Sequence, residues 1–309
     1  MTQEYDVLVI GAGPAGLTAG LYAARARRKT IVLERNVTGG QIALTSVVEN
    51  YPGFPDGVNG FDLAQAMQQQ AEKYGMETGY GDVTAIEAKD GRHLAKTTEG
   101  DYLAKAVIIT GGADYNRLNV PGEERLTGRG VSYCATCDAA FFKDQEVAVV
   151  GGGDAAMDEG LFVTRYASKV YVIHRRDQLR ASKILQERAL TNPKMQFVWN
   201  TVVTEVLGEN AVSGLKLRNV ATGEESTLPV AAVFIFIGLH PNSDYLKGLL
   251  RMDEAGHIYV NDWMETKVPG IFAAGDIRVN SSRQVVSAAG DGATAAIKAD
   301  HYITDTFKG

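Results

Sequence analysis

Cysteine is nearly missing from this sequence: Cys134 and Cys137 are the only two in 309 residues. A tetrahedral zinc cage needs about four ligands. No second cysteine pair exists to complete one, and His93, His174, His240, His257 and His301 are scattered. Excess charge of one sign is missing as well. The net charge is −6 and no run of like charges stands out, so a nucleic-acid groove or an anionic membrane surface has little electrostatic support. No apolar stretch approaches the roughly 20 residues that cross a bilayer. The densest, VAAVFIFIGL from Val230, reads as a buried strand. The N-terminal MTQEYDVLVIGAG has no basic n-region and carries Glu4 and Asp6; no secretory signal is read there, and a cytoplasmic protein is expected. Stable structural disulfides are uncommon in that compartment, which turns attention to redox or metal chemistry for the cysteine pair.

What is present in quantity is apolar surface, 45% of residues, enough to give about two domains a core each at this length. An internal repeat supplies their outline. DVLVIGAGPAGLTAGLYAARARRKTIVLER (residues 6–35) lies over EVAVVGGGDAAMDEGLFVTRYASKVYVIHRR (146–176), Gly11 on Gly151, and the two stay in step without a gap as far as Glu34 on His174. Each copy reads as a β-branched strand, a Gly-rich turn, an amphipathic helix and a second strand. Each continues alike: a helical stretch (61–74; 182–190), short alternating segments with turn signals, then a buried run, AVIITGG from Ala106 or AVFIFIG from Ala232. The expected fold is α/β: two Rossmann-like dinucleotide-binding domains, each a parallel sheet with an antiparallel β-meander. The stretch from about Asn242 founds no third domain. It carries VPGIFAAGD and a pattern that predicts a helix over 284–303, and is read as returning to complete the first domain. The second is then an insertion, with residues 1–113 and 242–309 forming one domain and 118–240 the other.

The two copies differ in taste. Gly11, Gly13 and Gly16 form GxGxxG directly after an apolar strand: the first for the tight turn, the second for backbone approach to a pyrophosphate, the third for helix-on-strand packing. Glu34 follows roughly 20 residues on, where a carboxylate accepts ribose hydroxyls. In the second copy Gly151, Gly153 and Ala156 give GxGxxA, and His174 stands in place of the carboxylate, followed by RRDQLRA. Arg175, Arg176 and Arg180 offer planar forks for the extra phosphate of NADP, which a carboxylate would repel. Two dinucleotides in one chain point to hydride passing between them, from a soluble NADP(H) to a resident flavin.

GAGPAG at Gly11, GGQ at Gly39, VENYPGFP at Val48, CATCD at Cys134, GGGDAA at Gly151, HRRDQLRA at His174, FAAGD at Phe272 and RQVVSAAGDGA at Arg283 resemble, in order and across essentially the whole chain, the low-molecular-weight NADPH-dependent thioredoxin reductases. The resemblance implies FAD at Gly11, Gly13, Gly16, Glu34, Gly40, Gln41, Asn50, Gly275, Asp276, Arg283 and Gln284. It implies NADPH at Gly151, Gly153, Ala156, His174, Arg175, Arg176 and Arg180. It also implies thioredoxin or a thioredoxin-like protein as partner, a homodimer, and neither nucleic acid nor membrane. Three departures stand out. Thr110, Gly111 and Gly112 occupy the place of the family's Ala-Thr-Gly, Ala139 follows the cysteine motif where Gly is usual, and the loop IRVNSS between GD and RQ has no assignable role.

A disulfide across Cys-x-x-Cys can be opened and reformed by exchange once a thiolate forms. Asp138 suits the proton transfer if partly buried; capping the helix suggested by AAFF is its competing role. The larger glutathione reductase-like class carries its cysteines early in the FAD domain, and residues 40–60 here contain none. By resemblance, the Cys134-Cys137 disulfide relays electrons from the flavin, with Cys137 facing it, Cys134 attacking the partner and Asp138 handling protons. Disulfide and nicotinamide then sit on one domain and must both reach one flavin. A rotation about the crossings near residues 114–120 and 238–244 is expected to resolve this. The other readings are a different disulfide acceptor, a ferredoxin donor, for which HRRDQLR would have little use, or a redox sensor.

Overall fold

The computed structural model describes residues 2–45 and 47–307, and only the backbone of Leu44 and Cys137. The chain forms two compact units, Met1–Asp114 with His240–Gly309, and Tyr115–Leu239.

The first unit opens with β1 (Gln3–Ile10), α1 (Pro14–Arg25) and β2 (Thr30–Glu34), followed by α2 (Gly60–Glu72), β3 (Glu77–Tyr80), β4 (Val83–Lys89), β5 (Arg92–Thr97) and β6 (Asp101–Ile109). β7 (Ala113–Tyr115) leads out of it. In the second unit come α3 (Glu123–Leu126), β8 (Val131–Ser132), α4 (Ala135–Asp138), β9 (Glu146–Gly151), α5 (Asp154–Val163), β10 (Lys169–Ile173), α6 (Lys183–Thr191) and β11 (Met195–Val198). It closes with β12 (Thr201–Leu207), β13 (Gly214–Asn219), β14 (Glu225–Leu228) and β15 (Ala232–Phe236). β16 (Leu239–Pro241) pairs with β7 as a two-stranded ribbon, and the chain then adds β17 (Ile271–Ala273) and α7 (Val285–Thr306) to the first unit.

Strands of the first unit lie in the order β3-β2-β1-β6-β5-β4, with β17 also on β6. Both faces of β1 are covered, so its DVLVI run carries almost no polar residue. Val7 and Val9 face one core with Ala15, Ala19 and Ile108, and Leu8 and Ile10 face another with Leu246, Ile258 and Ile277. The C-terminal segment thus supplies both lids. Its helix α7 lies close on α1 because the facing side chains are small, Ala288, Ala295 and Ala299 among them. At Gly292 any Cβ would fall on the Ala15 carbonyl oxygen, so only glycine allows that approach. Phe272, 2% exposed, anchors β17; its truncation to Ala would cost about 3–5 kcal/mol.

The second unit repeats the plan as β11-β10-β9-β15-β8, with β12, β13 and β14 as a separate antiparallel sheet. Here the halves diverge. β6 is one strand that pairs antiparallel with β5 and parallel with β1, so the first meander joins the main sheet. In the second unit Pro229 stands between β14 and β15. Proline has no N–H for a ladder, and the meander leaves the parallel sheet there. No helix among the described residues is long and apolar enough to cross a membrane.

Candidate functional site

Register brings the ends of the central strands of the first unit level. Ile10 pairs with Leu33 and Ile109, and Ala273 pairs with Ile109. Directly beyond them stand Gly11, Glu34, Thr110 and, two residues past Ala273, Gly275. This is the crevice outside the carboxyl ends of a parallel sheet, where such folds take their ligands. Gly11 has φ of 105°, and a Cβ there would lie 2.5 Å from the Thr110 carbonyl oxygen; one on Gly16 would strike the Gly11 carbonyl. Gly13, by contrast, has open space for 4 Å where its Cβ would be. It precedes α1 with no side-chain cap on the helix, so the first-turn N–H groups are left for an anion.

Glu34 is buried, and its carboxylate is partly used by the fold. Oε2 accepts the Ala12 N–H at 2.8 Å and Oε1 the Asn36 N–H at 2.9 Å, which fixes the group with lone pairs to spare for hydroxyls. Gly39 donates to the Ala12 carbonyl at 2.7 Å, and a Cβ on Gly40 would lie 3.5 Å from the Gly13 Cα. One residue earlier, Thr38 Oγ1 is buried without a partner among the described residues. Thr110 Oγ1 lies 2.9 Å from the Ile10 carbonyl oxygen and 2.8 Å from that of Gly11, tying the turn to β6. A Cβ at Gly111 would meet Asn242 and Ile277 only at ordinary contact, 3.6 Å, so packing does not demand glycine there.

The residues carried over by resemblance meet on the same unit. Asn50 Nδ2 donates to Gln284 Oε1 at 2.9 Å, and Gln41 Nε2 reaches the Ala113 carbonyl at 3.4 Å. Asp276 accepts from Ser281 Oγ at 2.9 Å, and Ser281 Oγ also accepts the Arg283 N–H at 3.1 Å. Burial raises the Asp276 pKa. The loop without an assignable role therefore has one: Ser281 holds Asp276, while Arg278 holds Asp291.

In the second unit Val150 pairs with Ile173 and Gly151 with Phe236, placing Gly151, Gly153 and His174 at the corresponding edge. Gly153 again has 4 Å of open space and α5 has no side-chain cap, whereas Ala156 is fully buried. His174 packs under the glycine turn. Its ring is turned inward beneath Gly152, where a Cβ would collide with it, and Nε2 lies 3.1 Å from the Gln178 carbonyl oxygen. Desolvation, then the neighbouring arginines, lower its pKa. The buried ring supports the turn from below. Arg175, Arg176 and Arg180 are exposed, and among the described residues their side chains form no ion pair or hydrogen bond.

The cysteine turn follows β8. Ser132 Oγ accepts the Cys134 N–H at 3.1 Å and lies 3.1 Å from the Cys134 carbonyl oxygen, to which it donates. Cys134 Sγ is 3.4 Å from Thr136 Oγ1. Cys134 is disulfide-bonded, and the Cys137 side chain lies outside the described residues. Asp138 is half-buried and makes no capping hydrogen bond to the turn Ala139–Phe142, so the capping role is not the one it plays. Ala139 is buried with its methyl in the core that holds Ala135 and Phe234, which is where the departure from Gly is accommodated. The sequence reading missed Glu159. On α5, burial, followed by the neighbouring Asp158, pushes its pKa up to about 7 against an opposing pull from the Ala135 backbone. AMDEGLFV presents it as one of two adjacent acids, with nothing to mark it as the inward one.

These geometries are those of two dinucleotide-binding units, and the whole chain can be placed accordingly. A pyridine nucleotide-disulphide oxidoreductase family model matches residues 5–292. The chain belongs to that family. It is 51% identical over 310 residues to the thioredoxin reductase of Bacillus subtilis (strain 168), covering 99% of this chain and 97% of the relative. Its fold is similar to the crystal structure of Lactococcus lactis thioredoxin reductase in the FR conformation, with a TM-score of 0.95, 43% identity, and 97% and 99% of the two chains covered. It is also similar to T. acidophilum thioredoxin reductase, with a TM-score of 0.93, 34% identity, and 99% and 100% covered. Among the pyridine nucleotide-disulphide oxidoreductases, the chain is an oxidoreductase of the thioredoxin reductase type.

Proposed function

We propose that the protein reduces the disulfide of thioredoxin with NADPH, holding FAD in the first unit and NADPH in the second and relaying electrons through Cys134 and Cys137. The observation that carries this reading is the doubled strand-end crevice, each with a second glycine open where a pyrophosphate would approach, combined with a disulfide-bonded Cys134 in the second unit.

The residues of the first crevice suit FAD. Gly11, Gly13 and Gly16 shape the turn, Gly40 lines it, and Thr38 Oγ1 is a buried hydroxyl in want of a partner. Glu34 would hold the ribose, and Gln41, Asn50, Gly275, Asp276, Arg283 and Gln284 the remainder. In the second crevice Gly151, Gly153 and Ala156 shape the turn, His174 supports it from below, and unpaired Arg175, Arg176 and Arg180 would bind the 2′-phosphate of NADPH. Bound FAD would supply the chemistry that the side chains lack, turning a hydride into two electrons for a disulfide.

The chain's own residues then perform the exchange. Cys134, as thiolate, attacks one sulfur of the thioredoxin disulfide, forming a mixed disulfide and expelling the other sulfur as thiolate. Cys137 attacks Cys134, the mixed disulfide breaks, and reduced thioredoxin leaves as the Cys134–Cys137 disulfide reforms. Asp138 moves the protons. Rotation of one unit against the other about the β7 and β16 crossings gives Cys137 and the nicotinamide alternate access to one flavin. A cytoplasmic setting follows from the NADPH supply, and a homodimer from the family likeness.

The purified protein should be yellow, bleach with NADPH but not NADH in the absence of air, and recover its colour on adding oxidised thioredoxin. Cys134→Ser should bleach yet reduce no thioredoxin. Failure to bleach with either nucleotide would overturn the reading.

A further inference from the structure

Glu34 faces the first crevice and Asp291 is paired with Arg278, which leaves Glu123, 3% exposed, as a buried carboxylate that the function has not used. Among the described residues no lysine or arginine pairs with it. Four donors fill it instead. Oε1 accepts the Leu118 N–H at 2.8 Å and the Tyr133 hydroxyl at 2.6 Å. Oε2 accepts the Asn119 N–H at 2.6 Å and, more weakly, the Val120 N–H at 3.4 Å. Three successive amides and a phenol thus converge on one group. Asn119 has φ of 57°, the left-handed conformation found where backbone curls its amides round an anion. All of these residues lie in the second unit. The carboxylate is itself held in place. Val206 donates to the Pro121 carbonyl at 2.9 Å, and a Cβ on Gly122 would strike the Val206 carbonyl, so α3 sits directly on β12. Leu118, Val120 and Tyr133 pack on the core that holds Leu126 and Val206.

Tyr133 is the residue before Cys134. The bonds between Ser132 and Cys134 span two residues and shape the turn locally. The Tyr133 phenol, by contrast, reaches ten residues back along the chain. We propose that Glu123 is a positioning residue for the redox pair. Through the Tyr133 hydroxyl it fixes the peptide that presents Cys134, and through the amides of residues 118–120 it ties that peptide to the segment by which the chain enters the unit. The proposal rests on the redox role of Cys134 and Cys137. Closure of two thiols to a disulfide depends on how often the sulfurs meet in a bonding geometry, an effective concentration that a fixed backbone raises and a loose one lowers. The tether therefore favours the disulfide over the dithiol, and Glu123 acts on the reduction potential of the pair through Tyr133.

The test is a redox titration of the FAD-loaded protein in glutathione buffers, with the free thiols trapped by alkylation and counted by mass spectrometry. Two glutathione thiols become one glutathione disulfide as the protein S–S bond takes up two electrons and two protons, so the equilibrium constant yields the potential. Tyr133→Phe keeps the ring and all three amide bonds to Glu123 and removes only the tether. The closure constant should fall about tenfold, raising the potential by about 30 mV. Flavin content should stay unchanged, and kcat for thioredoxin should fall with KM for NADPH constant. Glu123→Gln turns an amide donor toward donors and should shift the potential in the same direction. The double variant should shift it no further than Glu123→Gln alone, because both changes break one connection. An unmoved potential overturns the proposal, including the case in which only the melting temperature falls, and so does a shift to lower potential. Should Glu123→Gln fail to fold, Tyr133→Phe alone decides. The two readings fail separately. Thioredoxin turnover by Cys134→Ser, or a wild type whose cysteines do not exchange with glutathione, refutes the redox role and the proposal with it. A wild type that titrates beside a Tyr133→Phe variant of the same potential refutes only the role of Glu123.

Discussion

Arg278 holds Asp291 through two donors at once, Nε to Oδ2 at 2.6 Å and Nη2 to Oδ1 at 2.9 Å. The same Oδ2 accepts the Gly275 N–H at 3.1 Å. A largely buried ion pair thus fixes the turn that presents Asp276. Asp291→Ala would leave Arg278 charged and unpaired and the Gly275 N–H unsatisfied, at a cost on the order of 3 kcal/mol. A lower melting temperature with loss of bound flavin is the expected result. An unchanged melt with full flavin content would count against the bracket.

Gly13 and Gly153 both have negative φ, −75° and −97°, and open space where a Cβ would sit. Alanine therefore folds at either position and intrudes only on a ligand. Gly153→Ala should raise KM for NADPH about tenfold, equivalent to roughly 1.4 kcal/mol, with flavin content intact. Gly13→Ala should lower flavin content and leave NADPH affinity alone. Titration of NADPH and flavin absorbance on both variants reads this directly, and an effect on the same ligand in both would contradict the two-site assignment.

The exposed arginines at 175, 176 and 180 have no partner to lose among the described residues, so replacing them does not strain the fold. Each charge-assisted contact to a phosphate is worth about 1.5–3 kcal/mol. The triple alanine variant should lose most of its preference for NADPH over NADH, through a KM for NADPH raised a hundredfold or more. Steady-state kinetics with both nucleotides measure it; a preserved preference would place the phosphate elsewhere.

Glu159 also links stability to pH. Its folded pKa, about 7, lies above the ordinary glutamate value of 4.5 because burial and Asp158 disfavour the charge. Between those values the native state binds more protons than the unfolded one. The contribution is therefore fully present below pH 4.5 and is lost as pH rises through 7. It amounts to about 3 kcal/mol. The melting temperature of wild type relative to Glu159→Gln should fall between pH 5 and pH 8. A difference independent of pH would refute the shifted carboxyl.

Much of this architecture was legible because its signals are local. The run DVLVI, buried on both faces, the turns at Gly11 and Gly151, and the carboxylate against arginines after the second strand all lie within segments of about 30 residues in which periodicity and backbone conformation announce themselves. The return of the C-terminal segment to the first unit was legible too, because a strand and a helix without a Gly-rich turn have no sheet of their own. Less legible was the meander of the second unit, where the weight of Pro229 depends on which strands compete for β15.

Residue type and spacing alone determine the repeated strand-turn-helix unit, its glycines and the adjoining cysteines, since each rests on neighbours in the chain. Packing decides what each polar group is free to do. His174 turns inward because a core lies beneath Gly152. Asn50 finds Gln284 and Arg278 finds Asp291 through strand ends brought level by register. Glu159 departs from the ordinary carboxylate only because the fold takes it out of water, beside Asp158. Burial and long-range juxtaposition tune a side chain's charge, and neither is written in the residues beside it.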